Sequence, residues 1–504
     1  MGAGQLDLVL VNPNSRTTTY QTLGRTLAAI ENPVWAGLLA GFVRRRGYSV
    51  AVVEAGAEGL DAGDVAERIG DLDPRLVAVV VYGHQPSAST QNMTGASAVV
   101  AAIKARDLRT KVLMVGGHVA ALPERTLQEE ACDFVSVDEG LSCIVDLIEA
   151  LRANVEPDLG KVSGLMYRDN GGVVSNGAAP IVMDLDRQLA DPGWDLLPMA
   201  RYRAHNWHCF GDLRRQPYAA MYTTLGCPYR CTFCCIQAPF KRGERQLGLS
   251  EQVNSYRFWS PAHVVRQIDT LVNGHGVRNI KFADEMFVLN RRHVEQICHL
   301  LIARRYDLNI WAYARVDTVK DGMLEKLRDA GFTWLALGIE AASDRVLTDV
   351  DKRYREDEVY DTVRKIKAAG INVIGNYIFG LPEDDRASMQ ETLNLALDLN
   401  TEFANFYAAM AYPGSALYRT AIDRGWPLPS TWSGYSQHGA DTLPLPTRHL
   451  SAVEVLRFRD NAFQTYFTSP SYLDLVRRTF GQETLTHIHD MTAHRLERSL
   501  YARA

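Results

Sequence analysis

Strand-length runs of uninterrupted apolar residues recur along this chain, with a helix-length stretch between each run and the next. In the first part they are Leu6–Val11, Val50–Val53, Leu76–Val81, Val112–Val115 and Phe134–Val137. Runs rich in Val and Leu, without polar alternation, suit strands buried on both faces, as in a parallel sheet covered by helices. Asn32-Pro33 reads as a helix start, and Arg44–Arg46 with Gly47 as a basic last turn and a stop. Asp61–Ile69, Gln91–Ala105, Pro123–Glu130 and Ser142–Ala153 fill the other crossovers. Five βα units predict a doubly wound domain over 1–153, whose ligands bind beyond the carboxyl ends of the strands. Those ends carry Asn12-Pro13-Asn14-Ser15, Tyr82-Gly83-His84, Gly116-Gly117-His118 and Asp138-Glu139-Gly140. Glycine in three of the four lets backbone approach a ligand closely.

Residues 154–212 break this rhythm. Gly164–Arg168 and Val173–Ser175 flank Asp169-Asn170-Gly171-Gly172 and read as a hairpin around an Asn-Gly turn. Met183–Cys209, rich in Asp, Pro, Trp and Tyr, reads as an interdomain crossing, so 154–212 is taken as a linker with a hairpin. From 213 alternation resumes in larger units, with strands at Ala219–Thr224, Asn279–Ala283, Ile310–Ala314, Trp334–Ile339, Val373–Phe379 and Phe403–Met410. Six βα units over 213–428 predict a partial TIM-type barrel, with chemistry at the carboxyl ends of its strands. Residues 429–504 hold two helices, Ala452–Thr465 and Tyr472–Phe480, and no further run of strands. The fold class is α/β: a flavodoxin- or Rossmann-like domain, a partial (β/α)6 barrel and a small, mainly helical C-terminal region.

Composition excludes several functions. The 504 residues carry 54 basic and 59 acidic side chains, a net charge of −5, without a basic patch for nucleic acid. No apolar run approaches the roughly 18 residues of a membrane span, and Met1–Leu6 lacks a secretory pattern. A cytoplasmic protein is expected. Four of the eight cysteines fall between Cys227 and Cys235. In a reducing compartment such a cluster serves a metal more often than a crosslink.

The strongest motif is Thr224-Leu-Gly-Cys227-Pro-Tyr-Arg-Cys231-Thr-Phe-Cys234, just after the first strand of the second array. Three thiolates spaced x3 and x2 on one loop can hold one face of an iron–sulfur cube and leave its fourth iron open. A zinc site would want a second ligand pair, and no second CxxC follows. Cys235 breaks the spacing; as a fourth ligand it would close the cluster.

Cys227, Cys231 and Cys234, with Phe233 before the third, resemble the signature loop of radical S-adenosylmethionine (SAM) enzymes. Gly338-Ile-Glu340 resembles the family's fourth-strand segment. Gly375-Asn-Tyr-Ile378-Phe-Gly380-Leu-Pro-Glu383 resembles its GxIxGxxE strand beside the adenine. Ala283-Asp284-Glu285 takes the place of the motif that receives the methionine amino group, though it departs from the GGE form. Arg315, after the third strand, is placed for the methionine carboxylate. The N-terminal domain resembles the cobalamin module of B12-dependent radical SAM proteins, in Pro33–Gly47, Gly116-Gly117-His118 and Asp138-Glu139-Gly140, where relatives show GEGE.

The resemblance implies a 4Fe-4S cluster on Cys227, Cys231 and Cys234, and SAM contacts from Phe233, Asp284, Glu285, Arg315, Glu340, Ile378 and Gly380. It implies cobalamin contacts from Asn12, Tyr82, Gly83, Gly116, Gly117, His118, Glu139 and Gly140. No DxHxxG motif is present, so no histidine, neither His84 nor His118, is assigned as a cobalt ligand. The implied activity is a class B-like radical methyl transfer from SAM via methylcobalamin to an unactivated carbon of a small molecule, with phosphorus the lesser alternative. A flavodoxin- or ferredoxin-type donor would supply electrons. B12-dependent oxidative cyclisation or rearrangement, and a corrinoid sensor with a structural cluster, are the rival readings. Position makes Tyr407 and Tyr412 substrate-pocket candidates.

Overall fold

The computed structural model describes residues 5–153 and 156–502. Most of the Met1–Leu6 segment and the first two residues of the expected linker lie outside them. The N-terminal sheet runs in the order β2-β1-β3-β4-β5-β6-β7. Its strands are β1 (Leu8–Asn12), β2 (Val50–Glu54), β3 (Leu76–Val81), β4 (Val112–Gly116), β5 (Phe134–Ser136), β6 (Leu165–Asp169) and β7 (Gly172–Ser175). The first five are parallel. β1 and β3 are almost wholly buried, as their unbroken apolar runs require.

The hairpin expected in the linker instead extends this sheet. β6 pairs antiparallel with β5 and with β7 across Asn170 and Gly171, both at positive φ. A two-residue turn of that kind matches the twist of its strands, and pairing with β5 satisfies an edge that would otherwise be open. The rest of the linker is a packed strap. The carbonyls of Asp191 and Pro192 lie so close to the helix Val34–Arg44 that a Cβ on Gly41 or Gly37 would stand 1.8 or 2.1 Å from them. Arg44 at the end of that helix pairs with Asp191 and Asp195.

The second sheet contains six parallel strands in the order β15-β14-β13-β12-β11-β8. They are β8 (Tyr218–Met221), β11 (Asn279–Phe282), β12 (Asn309–Arg315), β13 (Phe332–Glu340), β14 (Asn372–Phe379) and β15 (Phe403–Ala408). β8 and β15 do not pair, so the barrel is partial. β9 (Thr224–Gly226) and β10 (Tyr256–Phe258) form a separate ribbon. Asn32, read as a helix cap, docks instead on the free edge of β8: it donates to Ala220 O at 3.0 Å and accepts from Ala220 N at 2.7 Å. An unpaired buried strand edge needs such partners more than the helix needs a cap. Beside β15 lies the helix Ala452–Phe467. The last long helix, Pro470–Ala493, runs past the expected Phe480 and is broken at Gly481, where φ is +85°.

Candidate active site at the domain junction

The ribbon β9–β10 launches the cysteine loop. Gly226 takes φ +85°, and a Cβ there would lie 2.3 Å from Ser255 O, so only glycine fits. Beyond it Cys227, Cys231 and Cys234 line a cavity of about 830 Å³. Cys234 N donates to Cys231 O at 3.0 Å, and Gln237 Nε2 to Cys227 O at 2.8 Å, which braces the loop. Cys235 is buried and borders the same cavity. Among the described residues, no three His, Cys, Asp or Glu side chains are grouped to hold a metal ion, as a zinc site would require. An iron–sulfur cube asks less convergence, since each thiolate binds its own iron. Burial pushes the Cys227 thiol up to about 12 and raises those of Cys231 and Cys234. The thiols are therefore neutral until a metal takes their protons.

Glu285 lines the cavity, partly accessible from it though removed from bulk water; burial pushes its carboxyl up to about 8, with Lys281 drawing it the other way. Its neighbour Asp284 does not reach the cavity. Asp284 accepts from Thr223 N at 2.9 Å and from the Thr223 and Thr224 hydroxyls at 3.0 and 2.6 Å, and so fixes the turn between β8 and β9. Arg315 at the end of β12 donates to both Asp317 oxygens and, at 3.5 Å, to Cys231 Sγ. Its guanidinium lies 3.9 Å from the Tyr229 ring centre.

The register of β13 against β14 shifts between Gly338 and Glu340, and Glu340 adopts φ +60°. Such bulges re-aim a side chain at a sheet end. Glu340 pairs with the buried Lys352, which also donates to Gly338 O at 3.0 Å. Phe233, Ile378, Tyr407 and Tyr412 complete the expected residues on this cavity. Gly380 stays outside it: at φ +82° it packs under Val455, whose Cγ1 would lie 2.3 Å from an added Cβ.

The cobalamin set divides. Asn12, Tyr82 and Gly83 line a second cavity of about 170 Å³ at the ends of β1 and β3, where the strand order reverses. Tyr20, Ala88, Gln91 and His205 border both cavities, which therefore adjoin. Within the smaller one Glu54 is 1% exposed, its Oε2 has no hydrogen-bond partner among the described residues, and burial pushes its carboxyl up to about 8. A neutral acid with an unused oxygen suits a polar occupant such as the cofactor.

Gly116, Gly117, His118, Glu139 and Gly140 line neither cavity. Gly116 lies against Val81 O, and Gly140 against Val115. Glu139 forms an ion pair with Arg257 at 2.7 Å and accepts from Val182 N at 3.0 Å, joining the two domains. Buried His118, pushed down to about 3, meets Thr90 Oγ1 at 3.1 Å and the Trp432 ring edge-on. In His84 both ring nitrogens face oxygens, Glu31 Oε2 at 2.9 Å and Asn32 O at 2.6 Å. Sequence reasoning missed Gln85, Gln91, Gln437, His438 and Arg459, which wall the larger cavity. They carry no motif and arrive there only by tertiary packing.

Comparison with known proteins agrees with this geometry. Residues 221–396 match the model of the Radical SAM superfamily, and residues 20–148 that of the B12 binding domain. The chain is a B12-binding radical SAM enzyme. Its cofactors are the 4Fe-4S cluster, SAM and cobalamin. This B12-binding radical SAM enzyme is 27% identical over 469 residues to an uncharacterized methyltransferase of Pyrococcus horikoshii, covering 93% of this chain and 94% of that protein. It is 28% identical over 425 residues to the anaerobic magnesium-protoporphyrin IX monomethyl ester cyclase of Cereibacter sphaeroides, covering 83% of this chain and 64% of that protein. Its fold matches the radical SAM methyltransferase TsrM from Kitasatospora setae, solved with cobalamin and cluster bound, at a TM-score of 0.65 and 17% identity, over 93% of this chain and 90% of that one.

Proposed function

We propose that this enzyme moves a methyl group from SAM, by way of cobalamin, to an unactivated carbon of a small-molecule intermediate, with phosphorus the lesser alternative. The observation that carries this reading is the junction of the two cavities: the cysteine loop opens into a space that continues to the switch point of the B12 domain. When bound, the reduced cluster and SAM supply a hydrogen-abstracting 5′-deoxyadenosyl radical, and the corrinoid supplies the methyl group.

The chain's own residues hold, orient and shield. Cys227, Cys231 and Cys234 grip the cluster, and the positive charges of Arg315 and Lys352 favour the thiolate of Cys231. Glu285 faces the cavity as acceptor for the methionine ammonium, and Arg315 has its carboxylate to receive. Glu340 and Ile378 stand on the adenosine side. Aromatic walls, Tyr407 and Tyr412 among them, keep water from a radical. Asn12, Tyr82 and Gly83 border the corrinoid slot. An external flavodoxin- or ferredoxin-type donor supplies electrons. Eight free cysteines fit a reducing cytoplasm, and among the described residues no helix is long and apolar enough to cross a membrane.

The test is anaerobic incubation of the loaded enzyme with SAM carrying a labelled methyl group. Label on the bound cobalamin, with S-adenosylhomocysteine formed, is expected. Release of 5′-deoxyadenosine with the cobalamin unlabelled would favour oxidative cyclisation, the reading to which the cyclase relative points.

A further inference from the structure

Two buried arginines share one carboxylate at the C-terminal wall of the larger cavity. Arg498 donates to Asp460 through Nε at 3.0 Å and Nη2 at 2.9 Å, and its remaining donors go to Gly439 O, Thr442 Oγ1 and Gln437 O. Tyr501 also donates to Asp460, at 2.8 Å. Asp460 thus neutralises Arg498. Arg459 receives only a share of Asp460 Oδ1, at 2.9 Å. Its Nε donates to Phe406 O at 2.7 Å, and its Nη2 lies 3.5 Å from His438 Nε2.

A guanidinium has five N–H donors in a planar fork; among the described residues three are engaged here, which leaves one on each terminal nitrogen. Arg459 is 5% exposed and lines the cavity. The imidazole beside it adds no negative charge: burial with Arg459 and Arg498 pushes His438 down to about 3, so it is neutral. A second cation, Arg495, borders the same wall. Tyr407 lines the same cavity, near enough to both Glu340 and Arg459 to feel their charges. Burying a cation without a matched anion is costly, and a planar fork suits carboxylate and phosphate oxygens.

The geometry points to Arg459 as the anchor for an anionic group, carboxylate or phosphate, on the substrate of the reaction proposed above. The inference deepens that reading, and binding tests it without turnover. The full-length, cofactor-loaded protein is titrated calorimetrically, without oxygen and at low salt, with phenylacetate, phenyl phosphate and the neutral phenylacetamide. At least one anion binds tenfold or more tightly than the amide, and which one it is separates carboxylate from phosphate. Arg459→Gln brings that affinity down to the amide's and leaves the amide unchanged; Arg459→Lys recovers part of the loss. The proposal is overturned if neither anion is preferred, or if Arg459→Gln keeps the preference. Should Arg459→Gln fail to fold by circular dichroism, the wild-type preference and Arg459→Lys decide. A missing methyl transfer would leave these affinities untouched, so the two failures are distinguishable.

Discussion

Glu340 occupies a left-handed backbone conformation that costs a non-glycine residue roughly 1–3 kcal/mol, and Lys352, 3% exposed, holds it there. Glu340→Gln leaves that ammonium unpaired in the interior, so a loss of about 3 kcal/mol is expected from the urea-unfolding midpoint. Glu285 gives a pH signature. Its carboxyl titrates near 4.5 when unfolded and near 8 when folded, so the folded chain holds a proton that the unfolded chain releases. The stability it contributes is complete below 4.5 and declines by up to about 1.4 kcal/mol per pH unit as pH rises through 8. Glu285→Gln flattens that decline in the cofactor-free protein, as urea midpoints at about pH 5.5 and 8.5 would show. Resemblance to the family's strand-end motifs made Glu285 and Glu340 visible in the sequence, and its charge after the third strand did the same for Arg315. Asp284 and Gly380 were indistinguishable from them because the sequence does not say which way a loop residue turns. Asp284 turns to Thr223 and Thr224, and Gly380 to Val455.

At the scale of elements, the strands were legible because burial on both faces writes itself as unbroken apolar runs. All six strands of the half-barrel lie where those runs were found. What was illegible depended on edges and close approaches. Asn32 looks like a cap until β8 is known to need a partner, and the hairpin looks like linker until β5 is known to end the parallel series. Gly37 and Gly41 carry no signal apart from the strap they admit. Gly41→Ala places a Cβ 1.8 Å from Asp191 O, so either the strap lifts or the helix shifts. A loss of several degrees in melting temperature is expected, and faster proteolysis within 183–209 would locate it there.

Across the whole molecule, Glu31 gathers partners from both halves: His84 at 2.9 Å from its own domain, and Lys281 Nζ at 3.0 Å and Tyr218 OH at 2.8 Å from the barrel. Glu31→Gln strands a lysine that is 1% exposed, and a cost of about 3 kcal/mol is expected in chemical denaturation. Acid should unfold the chain through its histidines. His118, His208 and His438 are pushed down to about 3, and His205 and His293 to about 4, from 6.5, chiefly by burial. They are neutral when folded and gain protons on unfolding, so their stability is present above 6.5 and is lost as pH falls below it, by up to about 1.4 kcal/mol per histidine per pH unit. His208→Asn should shallow the fall in urea midpoint between about pH 7 and 5.

Gln437, His438, Arg459, Arg495 and Tyr501 stand on the same chamber as the three cysteines. A chain shortened after the barrel would therefore keep every cysteine and every strand yet be a vessel with one side missing. Solvent would reach a radical that the intact enzyme keeps dry, and such a fragment should spend SAM without profit to any acceptor.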